Sequence, residues 1–345
     1  MKCTDKTIKK RKRKANKRLI QSMKILLFML CVVAVAIAFF KFIKKDEQHA
    51  AAYEAATYNT HYFKEDLLST DLCVSTDNVS SEYSPDTSSL KSAALFDVTN
   101  AETSYAYNIH KKIYPASTTK ILTALVAIEN GDLSEEVIIG KNADSTNFAA
   151  DEQTCGILKG DTVTLEDLLY GLILYSGNDV AVAIAEHISG GEEEFAELMN
   201  AKAAELMATN SHFVNPSGLH DDNHYTTAYD LYLIFNECIK HEEFVEILGT
   251  SEYKTNIKGA DGETREVTWE PTNFYALGTK KAPEHVTVVG GKTGTLLSAG
   301  NCLILLVESP SGDPYITLVM GAQTKDHLYK DLTAIMEGIP GNNLN

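Results

Sequence analysis

Polar and apolar positions follow a different pattern in each of three stretches of this chain. The sixteen residues from Ile25 to Phe40 are uncharged and apolar, and Lys41-Phe42-Ile43 extends the run. As a helix, Ile25 to Ile43 would span roughly 28 Å, close to the thickness of a bilayer's hydrocarbon core, with Lys41 snorkelling to the interface. From Asp46 to Lys91 the chain is rich in Ala, Ser, Thr and Asp and keeps no sustained period beyond a short helical piece around Ala50 to Ala56. This segment reads as a flexible stalk. From Ser92 onward the pattern becomes regular.

Ala93 to Val98 and Ser104 to Tyr107 read as two strands joined by a turn at Thr99 to Glu102. Helical spacing follows over Ser117 to Glu129, Leu165 to Leu174, Asp179 to Ile188 and Glu192 to Ala208. Thr164 and Asp167 form a capping box before the second of these, and Gly190-Gly191 separates the last two. Strands are expected again at Val286 to Thr295, Cys302 to Glu308 and Tyr315 to Gly321, with a turn at Ser309 to Pro314. A closing helix, Asp326 to Met336, carries Leu328, Leu332, Ile335 and Met336 on one face. Strands at both ends with helices between them predict an α+β domain over 92–345, an antiparallel sheet flanked by helices with a mainly helical lobe.

Charge fixes the expected orientation. The first 24 residues hold 11 Lys or Arg against the single acid Asp5, so residues 1–24 are expected in the cytoplasm, 25–43 in the membrane as a signal anchor and the rest outside. The rival reading is a cleaved signal peptide with its small-residue site at Ala50-Ala51-Ala52. Lys44 to Gln48 stand between that site and the apolar run, which is long for a signal peptide. After Lys45, 17 basic residues face 46 acidic ones, a poor composition for binding nucleic acid. Cys73, Cys155, Cys238 and Cys302 are scattered without a Cys-x-x-Cys, so no disulfide framework is readable, and Cys302 reads as a small core residue. His220 and His224, with Asp221 and Asp222 between them, could be drawn as a metal site, but the stretch follows Asn215-Pro216-Ser217-Gly218, and neither metal nor cofactor is expected.

Three motifs carry the chemistry: Ser117-Thr118-Thr119-Lys120, Ser176-Gly177-Asn178 and Lys292-Thr293-Gly294. Ser-x-x-Lys also occurs at Ser88 and Ser251, but only Ser117 follows a proline and precedes a helical apolar pattern. Ser117 is therefore expected in the first turn of a helix, where free N–H groups favour an oxyanion, with Lys120 reaching its hydroxyl from the same face. A serine needs a base to become a nucleophile, and Lys120 can serve only when neutral, a state favoured by burial and by a like charge such as Lys292. In this reading Ser117 attacks an amide carbonyl whose oxygen is held by the N–H groups of Ser117 and Thr295. Gly294 lets the substrate approach the strand closely. Ser176 relays a proton to the departing amine, Asn178 orients substrate and Lys120, and Lys292 with Thr293 binds a terminal carboxylate.

With these motifs go Tyr114-Pro115-Ala116 before Ser117, Leu174-Tyr175 before Ser176, Phe213-Val214-Asn215-Pro216-Ser217-Gly218-Leu219, His224 to Leu231, and Ala299-Gly300. Over about Ser92 to Ile339 the chain resembles the D-alanyl-D-alanine carboxypeptidases of the low-molecular-mass penicillin-binding type, whose Ser-x-x-Lys and Lys-Thr-Gly pair is a known signature. The resemblance implies a β-lactamase/transpeptidase-like fold and removal of the terminal D-alanine from peptidoglycan stem peptides through an acyl-enzyme. It also implies acylation by β-lactams. Relatives often carry a hydroxyl residue where this chain has Leu296, which is expected to weaken carboxylate binding or deacylation. Relatives also often add a C-terminal β-rich domain and a membrane helix, a role expected here of the amino-terminal span. A serine β-lactamase and a non-hydrolytic peptidoglycan or β-lactam sensor share the same motifs and remain alternatives.

Overall fold

In the computed structural model of the protein, residues 71–341 are described. Residues 1–24, the apolar run 25–43 and the first part of the expected stalk, 46–70, lie outside them. Among the described residues no helix is long and apolar enough to cross a membrane.

The strands are β1 (Ser92–Asp97), β2 (Glu102–Tyr107), β3 (Glu136–Ile138), β4 (Thr162–Thr164), β5 (Tyr253–Lys258), β6 (Thr264–Trp269), β7 (Thr287–Leu296), β8 (Gly300–Glu308) and β9 (Pro314–Ala322). The helices are α1 (Lys120–Asn130), α2 (Leu165–Tyr170), α3 (Asn178–Ser189), α4 (Glu192–Glu205), α5 (Ala228–Cys238), α6 (Glu242–Gly249) and α7 (Lys325–Met336). As expected, both ends of the domain meet in one antiparallel sheet, in the order β2-β1-β9-β8-β7.

Alternation along its strands feeds two cores. Ala93, Leu95, Leu303, Leu305 and Val319 pack with Leu328, Leu332, Ile335 and Met336 of α7 on one face. Ala94, Phe96, Ile304, Leu306 and Leu318 join the helical lobe on the other. Because the sheet is covered on both sides, its central strands are apolar runs. At the centre of the lobe lies α1, with every residue from Lys120 to Ala127 buried, and a helix buried on all sides is apolar nearly all round.

A second, four-stranded sheet, β3-β4-β5-β6, and the helices α5 and α6 were not expected from the sequence. Three boundaries also differ. The helix expected from Ser117 begins as a 3-10 turn, Ala116–Thr119, and becomes α only at Lys120. The helix expected over Leu165 to Leu174 keeps its Thr164–Asp167 capping box but widens at Gly171 into a π turn, Gly171–Tyr175. There the missing side chain leaves room for Cys155 and Trp269, which a Cβ would meet at 2.8 and 3.4 Å. The helix expected to reach Ala208 stops at Glu205, because Met207 turns left-handed.

The flexible-stalk expectation is corrected for residues 71–91. Cys73 is buried, its N–H donates to Tyr232 Oη (2.9 Å) and its carbonyl accepts from Tyr229 Oη (3.0 Å). Val79 pairs with Ala106 beside β2, and buried Ser89 donates to buried Asp331 on α7 (2.7 Å). This segment is polar because its anchors are single residues and not a periodic face.

Candidate active site

Ser117 sits between two close approaches. Ala116, immediately before it, has φ +50°, a left-handed conformation that is strained for a residue with a side chain. Its carbonyl lies against Gly218, where a Cβ would come within 1.9 Å of that oxygen, so only glycine fits. On the other side β7 passes at Gly294, where a Cβ would stand 3.0 Å from Pro115 O and 3.1 Å from the Ser117 and Thr118 nitrogens. The glycine thus brings β7, and with it Thr295, against the turn that carries Ser117.

Lys120 is fully buried, and its amine donates to Ser117 Oγ (3.1 Å), Asn178 Oδ1 (2.7 Å) and the Ser217 carbonyl (2.7 Å). None of these acceptors is anionic. Burial drives its pKa down to about 7, against weaker upward pulls from Cys155, Asp179 and Glu152. Lys292 is equally buried and donates to Ser176 Oγ (2.8 Å). Its pKa falls well below the ordinary lysine value, first through burial and then through the positive charge of Lys120. The like-charge effect expected on Lys120 is thus seen on its partner.

Ser176 follows the π turn in a left-handed conformation (φ +68°), and after Gly177 the residue Asn178 opens α3. All the residues singled out in the sequence therefore converge. Ser117, Ser176, Asn178, Thr293, Gly294 and Thr295 line one cleft of about 630 Å³, with the Lys120 and Lys292 amines bonded into its wall.

Four contributors were not singled out. Glu152 lines the cleft and accepts from Asn178 Nδ2 (3.2 Å), leaving Asn178 Oδ1 to face Lys120. Asp179, buried behind it, accepts from the N–H groups of Cys155, Gly156, Ile157 and Val180 and so holds the 151–157 loop at the cleft. Ser217 offers its carbonyl to Lys120, a role its Asn215-Pro216-Ser217-Gly218 setting hinted at. Thr272 places its hydroxyl 2.6 Å from that of Thr293, so the cleft has paired hydroxyls here although Leu296 supplies none.

His224 is engaged structurally. Its Nδ1 accepts from Val214 N–H (3.1 Å), so Nε2 carries the proton and donates to Thr119 Oγ1 (2.8 Å). Burial lowers its pKa to about 4. With both ring nitrogens used, it braces the turn beside Ser117 and has none left for a metal. Cys73, Cys155, Cys238 and Cys302 are buried free thiols.

Residues 78–324 match the family described as D-alanyl-D-alanine carboxypeptidase. The chain is 32% identical over 249 residues to the D-alanyl-D-alanine carboxypeptidase DacF of Bacillus subtilis strain 168, covering 72% of this chain and 61% of that protein. It is 30% identical over 258 residues to DacA of Haemophilus influenzae, covering 73% and 62%. The chain thus spans about three fifths of the length of these relatives. Among solved structures, the Streptomyces K15 DD-transpeptidase superposes with a TM-score of 0.67 at 27% identity, over 72% of this chain and 96% of that one. Penicillin binding protein 5 from Haemophilus influenzae gives 0.64 at 27% identity, over 72% and 70%. With a transpeptidase-like α+β fold and a matched segment that spans all three motifs, the chain belongs to the D-alanyl-D-alanine carboxypeptidase family of serine peptidases.

Proposed function

We propose that this protein is a serine DD-carboxypeptidase that removes the terminal D-alanine from peptidoglycan stem peptides ending in D-Ala-D-Ala. The observation that carries the reading is the Lys120 amine, 3.1 Å from Ser117 Oγ and held near pKa 7 by burial. A neutral amine at that distance takes the hydroxyl proton as Oγ attacks the scissile carbonyl. The N–H groups of Ser117 and Thr295 receive the carbonyl oxygen as it becomes an oxyanion. Ser176, bonded to Lys292, passes a proton to the departing D-alanine nitrogen, and the C–N bond breaks to leave an acyl-enzyme that water hydrolyses. The substrate's terminal carboxylate meets Lys292, Thr293 and Thr272, and supplies the opposite charge that buried Lys292 otherwise lacks, drawing a proton onto it. β-Lactams acylate the same hydroxyl. The apolar run 25–43 tethers the enzyme to the membrane with its catalytic domain outside the cytoplasm.

A fluorescent penicillin should label the wild-type protein covalently and spare Ser117→Ala. Equal labelling of both would remove Ser117 as the nucleophile. Release of D-alanine from a stem pentapeptide, read by mass spectrometry, separates a carboxypeptidase from a sensor, and rapid turnover of penicillin would mark a β-lactamase. The likeness to a solved DD-transpeptidase favours one further fate for the same acyl-enzyme, capture by an amine, which the same spectra would reveal as a cross-linked product.

A further inference from the structure

The acyl half of the substrate has a direction of travel. With the terminal carboxylate at Lys292 and Thr293 and the reacting carbonyl at Thr295, the peptide must leave along β7 toward Leu296 and the turn at 297–299. The sheet order leaves β7 as an edge strand able to take such a strand-like partner. At that turn Ser298 Oγ lies 3.2 Å from His220 Nδ1, and His220 lines the main cleft. The ring of Tyr114 meets His220 edge-on at 4.7 Å, and Tyr114 also lines a second hollow of about 380 Å³ together with Lys91, Lys111, Lys112, Ile113, Asp222 and Tyr225.

Three amines converge there in a molecule that carries 47 acids against 31 bases. Among the described residues none of the three forms an ion pair. Lys91 donates to the Ser298 and Ala299 carbonyls (2.9 and 3.3 Å), which fixes the turn and holds its charge at the hollow. Lys112 lies over the Tyr225 ring, 3.9 Å from its centroid, and Lys111 is exposed. The one carboxylate in the lining, Asp222, faces His220 at 3.7 Å. Unneutralised ammonium groups clustered beside the exit of a substrate cleft suit an anion on that substrate.

We propose that this hollow is a subsite for a carboxylate on the acyl side of the stem peptide, specifically the free α-carboxylate of the γ-linked D-glutamyl residue. The inference rests on the carboxypeptidase reading for the direction of the chain. That residue stands two places upstream of the scissile carbonyl, roughly 7–10 Å in an extended peptide. Ser298 lies in the turn just past Leu296, the last residue of β7, and so stands beyond the strand's end in the direction the peptide takes.

The test compares two pentapeptides, L-Ala-γ-D-Glu-L-Lys-D-Ala-D-Ala and the same peptide with the glutamyl α-carboxylate converted to a carboxamide. Wild-type protein should show a kcat/KM three- to tenfold higher for the carboxylate form, the range for one or two exposed charge pairs, and the ratio should shrink as salt is raised. In Lys111→Gln/Lys112→Gln the ratio should fall to about 1. Both changes are on exposed side chains, so folding is not at stake. Binding of the two peptides to Ser117→Ala, which requires no turnover, should show the same preference. Equal handling of the two peptides by the wild type, or a preference that survives the double substitution, overturns the subsite. Absence of D-alanine release from diacetyl-L-Lys-D-Ala-D-Ala, which has no glutamyl residue, would instead strike the carboxypeptidase reading, while the binding comparison would still decide the subsite.

Discussion

Lys120 has three neutral oxygen partners and no counterion, so its charge is costly wherever it is carried. Its folded-state pKa of about 7 lies below the ordinary 10.5. Between those values the unfolded chain binds more protons than the folded one, and this residue's contribution to stability rises with pH. Below about 7 both states are protonated and the full cost of burying the charge is present. The same proton sets reactivity. The rate constant for penicillin acylation should climb with pH and reach half its maximum near 7, and a profile flat between about pH 5.5 and 8.5 would dismiss Lys120 as the base. Lys120→Ala should lower that rate constant by about 10²–10⁴.

Gly294 offers a steric test, because an added methyl would press on the backbone at Pro115, Ser117 and Thr118 from 3.0–3.1 Å. Gly294→Ala should slow acylation roughly 10- to 100-fold while leaving the unfolding transition nearly in place, since a small displacement at the reacting atoms costs rate more than stability. These residues were legible because Ser-x-x-Lys, Ser-x-Asn and Lys-Thr-Gly each fix a local geometry. Glu152 and Thr272 were not, because each reaches the site through a contact between segments far apart in sequence.

At the scale of elements, legibility followed periodicity. The runs that became β1, β8, β9 and α7 declared themselves through short apolar stretches bounded by turns or a helical face, and Thr164 with Asp167 marked the start of α2. β3 and β4 are three residues each with one buried position, too short for a period to register. α5 is a different kind of miss, for Thr227 caps it by accepting from the Asp230 N–H, the same signal read correctly at Thr164. The 151–157 loop has no periodicity at all and owes its place to Asp179, which satisfies three of its N–H groups from inside α3. Asp179→Ala would leave those donors unpaired beside the cleft. It should reduce the free energy of unfolding in urea by roughly 3 kcal/mol and speed amide exchange at residues 155–157. Unchanged exchange there would mean that the loop is held by other contacts.

On the scale of the whole molecule, the segment before β1 decides where the folded unit begins. A polar stretch without a period reads as a tether, yet residues 71–91 close the fold at two places. Cys73 takes up the hydroxyls of Tyr229 and Tyr232 from α5, and Ser89 with buried Leu90 covers α7, where Asp331 would otherwise be a buried carboxylate lacking that donor. A protein beginning at Ser92 forfeits these bonds together with the burial of Cys73 and Leu90. The sum is on the order of 4 kcal/mol, which for a domain of this size corresponds to a melting temperature lower by about 10 °C. For the tether that the sequence leads one to expect over 46–70, a protein beginning at Asp71 should melt within about 2 °C of one beginning at Asp46. Equal melting of the proteins starting at 71 and 92 would show that the segment rests on the domain without stabilising it. A loss confined to the protein starting at 92 would place the amino-terminal limit of the catalytic unit before Cys73, ahead of the first residue of its central sheet.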